Sequence, residues 1–368
     1  MNSTEKRLAV YLPSLRGGGA EQSMLRLAEG IARRGCAVDL VLAQKEGPYL
    51  AGISQTVRVV DLKASRALNS VPGLTRYLRR ERPDALLSVL DYTNVLSLWA
   101  HRLAGVPTRT VVNEQNTISN SSKNSAQRRQ QVMPWFVKHF YPWANIIIGN
   151  SEGVIDDLMQ VTGLPRNRLS LIYNPVVTPE LIARVEEPLD HPWFEPGELP
   201  VVLAVGRLTV QKDFPTLLQA FARVRQNSPA RLLILGEGPD RPKLEALIKE
   251  LHLTACVSLP GFIDNPYIYM KKAALFVLSS RWEGLPTVLI EALFCGAPIV
   301  ATNCPSGPRE ILQDGRYGRL VSVGSVTELA QEIEAGLSGK IQSPPEKSWR
   351  PFELEPIVDK YIDVLMSS

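Results

Sequence analysis

The chain has 368 residues, of which 45% are hydrophobic and 21% charged, the composition of an ordinary soluble globular protein. Domains of about 100–200 residues are usual, so we expect two. No apolar run reaches about 18 residues, which excludes a membrane-spanning helix. The short apolar run near the start is interrupted by Arg16, and we interpret it as a strand rather than a signal peptide. The four cysteines lack metal-ligand spacing, which predicts reduced thiols and a cytoplasmic protein.

Charge is spread unevenly along the sequence. Residues 1–180 hold 22 Lys and Arg against 14 Asp and Glu, a net charge of +8, whereas the remainder carries −4. A basic first half predicts a negatively charged partner. We expect no nucleic acid, because no helix-turn-helix, zinc-finger or aromatic ribonucleoprotein motif is visible. Residues 125–143 mix basic with aromatic side chains, which is typical of a helix on an anionic membrane surface; a helix with one face in the core is an equally good interpretation.

Apolar runs alternate with helical patterns along the chain. Arg7–Leu12 predicts a buried strand, Ala20–Arg34 an amphipathic helix after a glycine loop, and Val38–Leu42 the next strand. The alternation predicts an α/β protein with parallel sheets covered by helices. It continues with Val57–Val60, Leu74–Arg80, Ala85–Ser88, Thr93–Ala104, Thr110–Val112, Ala144–Gly149, Ser151–Gln160 and Leu169–Ile172, then with Val201–Gly206, Phe214–Gln226, Arg231–Leu235, Lys243–Leu251, Val257–Leu259, Asn265–Lys272, Leu275–Leu278 and Pro298–Ala301.

Residues 176–200 separate two such runs. Prolines and acidic residues crowd this segment, and proline breaks regular elements, so we expect an interdomain linker. The predicted domains are 1–175 and 201–351, with the helical pattern of 352–368 crossing back to the first. Two doubly wound sheets leave a cleft between the loops at the carboxyl ends of their strands, where open α/β sheets bind ligands.

The stretch Arg281–Leu293 holds two carboxylates, Glu283 in a Gly/Pro loop and Glu291 on the helix that follows. We place Pro286 at the first helical position and expect Thr287 and Glu291 to share the face opposite the apolar one. The N–H groups and positive dipole end of a helix start suit an anion, and a carboxylate accepts hydrogen bonds from hydroxyls. An anion joined to hydroxyls describes a nucleotide sugar.

Other loops also follow predicted strands. Gly17, Gly18 and Gly19 let the backbone approach a ligand, but they do not form G-x-G-x-x-G, and a tight turn is an equally good interpretation. Arg207 and Lys212 suit a diphosphate or are solvated loop charges.

The turns around Glu237 and Phe262 are candidate walls for a base, or plain turns. The segment around Arg309 either reaches the cleft or caps the surface. No metal site is predicted, since the sequence lacks D-x-D and its histidines share no ligand spacing. No Ser/His/Asp or Cys/His nucleophile arrangement is visible either.

Together these motifs resemble the retaining glycosyltransferases of the group 1 type (family 4). The similarity extends over roughly residues 8–320. It rests on the E-x7-E motif with Gly284, Leu285 and Pro286 after its first Glu, on Gly206-Arg207-Leu208 with Lys212, on the glycine loop Gly17–Glu21, and on Cys304–Glu310, which resembles a stretch of bacterial members that extend lipid-linked or surface oligosaccharides.

The resemblance implies the GT-B fold, two Rossmann-like doubly wound parallel-sheet domains facing a central cleft, with the acceptor on the first and the donor on the second. It implies that Glu291 binds the ribose and that Glu283 contacts hydroxyls of the transferred sugar. Arg207 and Lys212 would clamp the diphosphate, assisted by Thr287. It also implies a metal-independent front-face reaction that needs no cofactor and no protein nucleophile.

One position departs from the family pattern. Many relatives carry His after the strand that corresponds to Thr110–Val112, where Gln115 stands here. Glutamine bonds a sugar hydroxyl but cannot titrate. We predict a cytoplasmic retaining hexosyltransferase, with a peripheral place on the inner membrane face left open, that uses a nucleotide sugar (UDP-linked, or alternatively GDP-linked) and a lipid-linked or oligosaccharide acceptor. The alternatives are a nucleotide-sugar epimerase of the same fold and a non-catalytic sugar-nucleotide-binding protein.

Overall fold

The computed structural model describes residues 6–16, 18–124 and 128–367. The chain forms two compact units, and the first is discontinuous: it holds the residues through Val176 and those from Phe352 onward, whereas the second holds Val177–Pro351. The segment expected to be a linker, 176–200, therefore lies almost wholly in the second unit. No helix in the described ranges has both the length and the apolar character needed to cross a membrane.

The first unit is built on a parallel sheet of seven strands in the order β3-β2-β1-β4-β5-β6-β7. Successive residues of β1 point to opposite faces of the sheet, and the residues on both faces are buried, as is usual for parallel sheets. The strands are β1 (Arg7–Leu12), β2 (Ala37–Leu42), β3 (Val57–Asp61), β4 (Ala85–Val89), β5 (Arg109–Glu114), β6 (Ile146–Gly149) and β7 (Leu169–Leu171).

Helices cover both faces of this sheet. Leu8, Val10 and Leu12 of β1 pack in one core with helices from both ends of the chain, and Ala9 and Tyr11 pack in another with the helices after β3 and β4. The helices are α1 (Gly19–Arg33), α2 (Val71–Glu81), α3 (Asp91–Ala104), α4 (Ile118–Asn124), α5 (Arg128–Phe140), α6 (Glu152–Thr162) and, at the end of the chain, α14 (Leu354–Met366).

The last helix, α14, packs on α1. Leu354, Val358 and Tyr361 are buried against the side of α1 that carries Ile31. The approach is close at Gly30, where an added Cβ would lie 2.5 Å from Cγ2 of Val358. A larger residue at this position would push the two helices apart.

The second unit repeats the architecture with six parallel strands in the order β10-β9-β8-β11-β12-β13. Relative to its first strand this is the same 3-2-1-4-5-6 order as in the first unit, the Rossmann order. The strands are β8 (Val201–Val205), β9 (Arg231–Leu235), β10 (Val257–Gly261), β11 (Leu275–Leu278), β12 (Ile299–Thr302) and β13 (Arg319–Val321); the helices are α7 (Pro179–Arg184), α8 (Phe214–Asn227), α9 (Arg241–Glu250), α10 (Tyr267–Lys272), α11 (Thr287–Phe294), α12 (Pro308–Ile311) and α13 (Val326–Leu337).

Both sheets confirm the predicted α/β class with parallel strands. In each, the strand order reverses once, between β1 and β4 and between β8 and β11. Loops that leave such a pair of strands diverge, and the crevice between them is the usual ligand site of an open α/β sheet. In the second unit, Arg207 and Lys212 follow β8 and Glu283 follows β11, so these three candidate residues lie on two such loops.

Candidate functional site

Three loops at the carboxyl ends of β8, β9 and β10 pack backbone against backbone. The N–H of Gly236 donates to the carbonyl of Gly261 at 2.8 Å. A Cβ on Gly236, whose φ is +141°, would lie 2.1 Å from the carbonyl oxygen of Gly206, and one on Gly238 would lie 2.3 Å from that of Leu208. Only glycine fits at such contacts. The glycines at these positions therefore allow the three loops to pack in direct backbone contact.

An ion pair joins the loops after β8 and β11. Lys212 Nζ lies 2.6 Å from Glu283 Oε1, and Glu283 is only 5% exposed. Ser280 Oγ donates to the same oxygen at 2.6 Å, and Gln211 Nε2 donates to Oε2 at 3.2 Å. Both oxygens of the carboxylate are therefore held. The stem of Lys212 lies over Gly206, where an added Cβ would be 3.1 Å from Cε.

A second ion pair supports the same two loops. Arg281 donates to Asp213 Oδ1 at 3.0 Å, and Asp213 is buried. Ser279 Oγ donates to the carbonyl of Lys212 at 2.7 Å, and the N–H of Arg281 donates to the carbonyl of Gln211 at 2.8 Å. Sequence reasoning missed Gln211, Asp213 and Ser280, although each is next to a predicted residue or within three positions of one.

Helix α11 begins at Thr287, and Pro286 is its N-cap with φ −69° and ψ 99°. The prediction that Pro286 occupies the first helical position was wrong by one residue, because its extended ψ keeps it outside the helix. Glu291 lies one turn further along α11 than Thr287 and is only 6% exposed, so the face that the two residues share is buried at Glu291. The first turn of α11 directly follows the loop that carries Glu283.

The segment Cys304–Glu310 supports the loop before α11. Ser306 Oγ donates to the carbonyl of Gly284 at 2.9 Å, and a Cβ on Gly307 would lie 2.4 Å from Cδ of Pro286. Gly284, Leu285 and Pro286 are all buried. Arg309 instead pairs at the surface with Asp314, at 2.9 Å, which favours the surface alternative for this residue.

The remaining predicted residues of the second unit are exposed. In the described part of the chain Arg207 pairs with no acidic side chain. Glu237 accepts two bonds from Arg241, at 2.7 and 2.9 Å, while its carbonyl accepts from the N–H of Leu208. Phe262 is 65% exposed and follows the glycine that ends β10. A flat apolar ligand has an aromatic face available there.

The glycine loop of the first unit opens α1. Gly17 lies outside the described residues. Gly18 is the N-cap, and its N–H donates to Oε2 of Glu21 at 3.1 Å, while Gly19 is the first helical residue. Glu21 lies in the first turn of α1 and thus caps the helix.

Gln115 follows β5 and lies in a buried network of side-chain amides. Its Nε2 donates to Asn113 Oδ1 at 2.7 Å, and its Oε1 accepts from Asn174 Nδ2 at 2.7 Å and from Asn150 Nδ2 at 3.1 Å. Gln115 is 5% exposed. Its partners follow β6 and β7 or sit on β5, so residues far apart in the sequence meet at one edge of the sheet.

Neither metal ligands nor a reactive thiol stands out among the described residues. Within the ranges 6–16, 18–124 and 128–367, no three His, Cys, Asp or Glu side chains are grouped so as to hold a metal ion. Cys304 lies near Glu283, but burial raises the pKa of its thiol to about 12. A thiol with such a pKa stays protonated and is a poor nucleophile.

Family models match both units. The model for Glycosyltransferase Family 4 matches residues 17–179, and the model for Glycosyl transferases group 1 matches residues 186–349. Between them they cover most of both sheets.

Among curated proteins, the chain is 34% identical over 341 residues to the N-acetylgalactosamine-N,N'-diacetylbacillosaminyl-diphospho-undecaprenol 4-alpha-N-acetylgalactosaminyltransferase of Campylobacter jejuni, covering 90% of each chain. It is 28% identical to the lipopolysaccharide 1,6-galactosyltransferase of Escherichia coli, covering 81% of this chain and 79% of that one. Among solved structures, Anabaena HepE in complex with UDP and glucose superposes with a TM-score of 0.78 at 20% identity, covering 99% of this chain and 100% of that one. The chain belongs to the group 1 glycosyltransferases, and its two Rossmann-like units have the GT-B fold.

Proposed function

We propose that this glycosyltransferase is a retaining, metal-independent enzyme that moves a hexose from a UDP-sugar to a lipid-linked or surface-glycan acceptor. The observation that carries the proposal is the Lys212–Glu283 pair at the switch point of the second sheet, beside the start of α11. The ammonium of Lys212 suits the diphosphate of a nucleotide sugar, and the carboxylate of Glu283 on the neighbouring loop suits the hydroxyls of its sugar.

The relatives support the donor and acceptor classes. The name of the Campylobacter jejuni protein includes a diphospho-undecaprenol, and that of the Escherichia coli protein a lipopolysaccharide. HepE was solved with UDP and glucose. We assign the donor to the second unit, in which the cationic loop lies, and the acceptor to the first.

In the proposed reaction, Lys212 and Arg207 bind the diphosphate, and the N–H groups at the start of α11 add a positive dipole end. Glu291 accepts hydrogen bonds from the ribose, and Glu283 from the transferred sugar. Phe262 and the backbone around Glu237 form the wall for the base. Charge develops on the departing diphosphate, where fixed cations stabilise the transition state more than the ground state. These cations supply the charge compensation without a metal ion.

Retention follows if the acceptor hydroxyl attacks the anomeric carbon on the face that the diphosphate leaves. The new carbon–oxygen bond forms as the bond to the phosphate oxygen breaks, and the hydroxyl proton passes to that phosphate oxygen. No side chain has to act as a nucleophile or base. Glu283 and Glu291 position the donor and are not an acid/base pair. A contact between Gln115 and a sugar hydroxyl stays a prediction.

A screen of nucleotide sugars by thermal shift identifies the donor, because a ligand of the native state raises its stability. Transfer to membrane-extracted acceptors is then measured for Glu291→Ala and Lys212→Ala, and each is expected to lose most of its activity. Lys249→Ala and Glu250→Ala, exposed on α9, serve as matched controls.

Wild-type turnover in both site variants would contradict the assignment of Glu291 and Lys212 to the site. An inverted anomeric product would rule out retention, full loss with a chelator would rule out metal independence, and conversion of the donor alone would indicate an epimerase.

We also propose that the first unit contacts an anionic membrane surface through α5. Met133 and Val137 of α5 are buried, whereas Trp135 of α5 is 56% exposed and Trp143, three residues beyond the end of the helix, is 43% exposed. One face of α5 therefore lies in the core and the other is aromatic, with Lys138 exposed beside it. Such a face suits the boundary between headgroups and acyl chains.

Sedimentation with vesicles of anionic phospholipid is expected to fall with added salt and with Trp135→Ala. Vesicles of zwitterionic lipid are the control. No binding at low salt would contradict the membrane proposal and leave the transfer reaction unaffected.

A further inference from the structure

The first unit contains a cavity of about 140 Å³ where β4 and β5 end. Its wall consists of the start of α3, the residues that follow β5, and parts of α4 and α5. This is the carboxyl edge of the first sheet, the edge at which open α/β sheets bind ligands. The cavity has room for four or five water molecules at about 30 Å³ each.

Two carboxyl groups line the cavity. Asp91 and Glu114 are 9% and 2% exposed. Glu114 accepts from the hydroxyl of Tyr141 at 2.7 Å and from the N–H of Gln115 at 3.0 Å, and Asp91 accepts from the N–H of Tyr92 at 2.6 Å. Burial raises the pKa of Asp91 and, together with the charge of Asp91, raises that of Glu114 to about 8. A pKa of about 8 keeps Glu114 mostly protonated at neutral pH.

Other polar groups also line the cavity. Gln130 Oε1 is buried and has no hydrogen-bond partner within the described ranges. Ser121 adds a hydroxyl from α4. The guanidinium of Arg129 lies 4.4 Å from the ring centre of Tyr92, and its charge partly offsets the rise that burial causes in the pKa of Asp91. The lining thus combines several hydrogen-bond acceptors with a cation.

Three classes of ligand can be compared against this lining. An anion would bring further acceptors to a lining in which two carboxyl groups and the amide oxygen of Gln130 need donors. A purely apolar group would leave a carboxyl and an amide oxygen unpaired, which costs free energy. A neutral group with several hydroxyl or N–H donors satisfies both oxygens, and its own oxygens can accept from the guanidinium of Arg129.

We propose that this cavity receives hydroxyl or acetamido groups of the terminal sugar of the acceptor. The inference rests on the proposed function, in which the first unit holds the acceptor. The volume limits the occupant to part of one sugar ring, so the cavity selects the terminal residue of the acceptor rather than a longer stretch of glycan. Asp91 and Gln130 accept from the sugar, and Glu114 keeps the end of β5 in place.

The test uses methyl α-N-acetylgalactosaminide as a neutral one-ring probe, observed by saturation-transfer NMR on the full chain. Ser121→Leu fills the cavity, and Asp91→Asn replaces one carboxyl oxygen of the lining by an amide NH2 group with little change in shape. Asp156→Asn, exposed on α6, is the matched control. We expect binding of the probe to weaken by roughly tenfold in both cavity variants, as the loss of a buried hydrogen bond predicts, and to be unchanged in the control.

UDP affinity, measured by calorimetry, is expected to be the same in all four proteins. Absence of probe binding to the wild type at tens of millimolar would overturn the inference, as would binding that both cavity variants leave intact. Tighter binding of methyl α-glucuronide or of methylammonium would overturn the neutral-sugar assignment. A wild type that binds the probe but not UDP or any nucleotide sugar would contradict the proposed function and leave the cavity as a sugar site. If Ser121→Leu fails to fold, Asp91→Asn decides.

Discussion

Lys212 Nζ lies 2.6 Å from Glu283 Oε1, so the cation assigned to the diphosphate and the carboxylate assigned to the sugar neutralise each other. Side-chain exposures of 15% and 7% place this pair largely out of water. In the proposed reaction, a bound diphosphate would set the ammonium between two anions and weaken its bond to Glu283, whose oxygens would then be free to accept from hydroxyls. We therefore expect the pair to link recognition of the two halves of the donor.

Removing one partner of this pair is expected to destabilise the second unit. Lys212→Met leaves a buried carboxylate without its counter-ion, which costs about 3 kcal/mol. The double variant Lys212→Met/Glu283→Gln should lose less stability than the sum of the losses in the two single variants, with a coupling free energy of about 1 kcal/mol or more. Urea unfolding of the wild type, the two single variants and the double variant measures this coupling.

The surface pair Arg309–Asp314, at 2.9 Å and with exposures of 67% and 80%, provides the control cycle. Its coupling should be about 0.5 kcal/mol or less. Equal couplings for the two pairs would mean that burial does not strengthen the first one.

Gly236→Ala is expected to disrupt the strand-end loops of the second unit. The new Cβ would lie 2.1 Å from the carbonyl oxygen of Gly206, so the backbone itself has to move. We expect a loss of more than about 2 kcal/mol in the free energy of unfolding, together with weaker UDP binding. Gly324→Ala is the matched control, since its φ of +74° is also left-handed but no atom lies within 4 Å of the new Cβ. It should lose about 1 kcal/mol and keep its UDP affinity; equal losses would assign the whole effect to φ.

Glu114 should make the stability of the first unit depend on pH. Burial raises its pKa from 4.5 to about 8. Between these values the folded state keeps a proton that the unfolded state has lost, so the free energy of unfolding falls as pH rises, by at most about 1.4 kcal/mol per pH unit. Glu114→Gln has no such proton, and its stability relative to wild type should increase from pH 5 to pH 8 in urea titrations. Glu152→Gln, with a side chain 54% exposed, should show no such trend; parallel curves for Glu114→Gln and wild type would contradict the shift.

Gln115→Ala tests whether this residue contacts substrate. The variant removes a partner from Asn113, Asn150 and Asn174, all buried, and should lose about 2 kcal/mol of stability. If Gln115 bonds a sugar hydroxyl, kcat/KM measured well below the melting temperature should fall at least roughly tenfold. Asn174→Ala disturbs the same network without removing that contact. An equal fall in both variants would mean that the network acts only as a support.

Much of the fold could be predicted from the sequence because each β-loop-α unit carries its own pattern. Arg7–Leu12 was predicted to the residue. The edge strand Arg319–Val321 and the helix Val326–Leu337 were missed. Three residues are too few for a periodic signal, and the strand gains its identity only by pairing with β12. The strand order has no local signal at all.

The contacts within the candidate site could not be predicted from the sequence. Lys212 and Glu283 are 71 positions apart and meet only because β8 and β11 are neighbours in the sheet. The amides around Gln115 come together for the same reason, from loops after β6 and β7. The glycines were predicted to permit close approach, but which backbone approaches which depends on the packing of three loops.

The closure of α14 over α1 has a consequence for biosynthesis. The apolar side of α1 is synthesised before the second unit, and the residues that cover it, from Leu354 to Leu365, are synthesised after that unit. Domains usually fold as they emerge, but this one waits for some 175 intervening residues of another domain. Until then the nascent chain exposes the groove beside Gly30, a natural target for chaperones, and a stop codon anywhere in the second unit would leave the first unfinished.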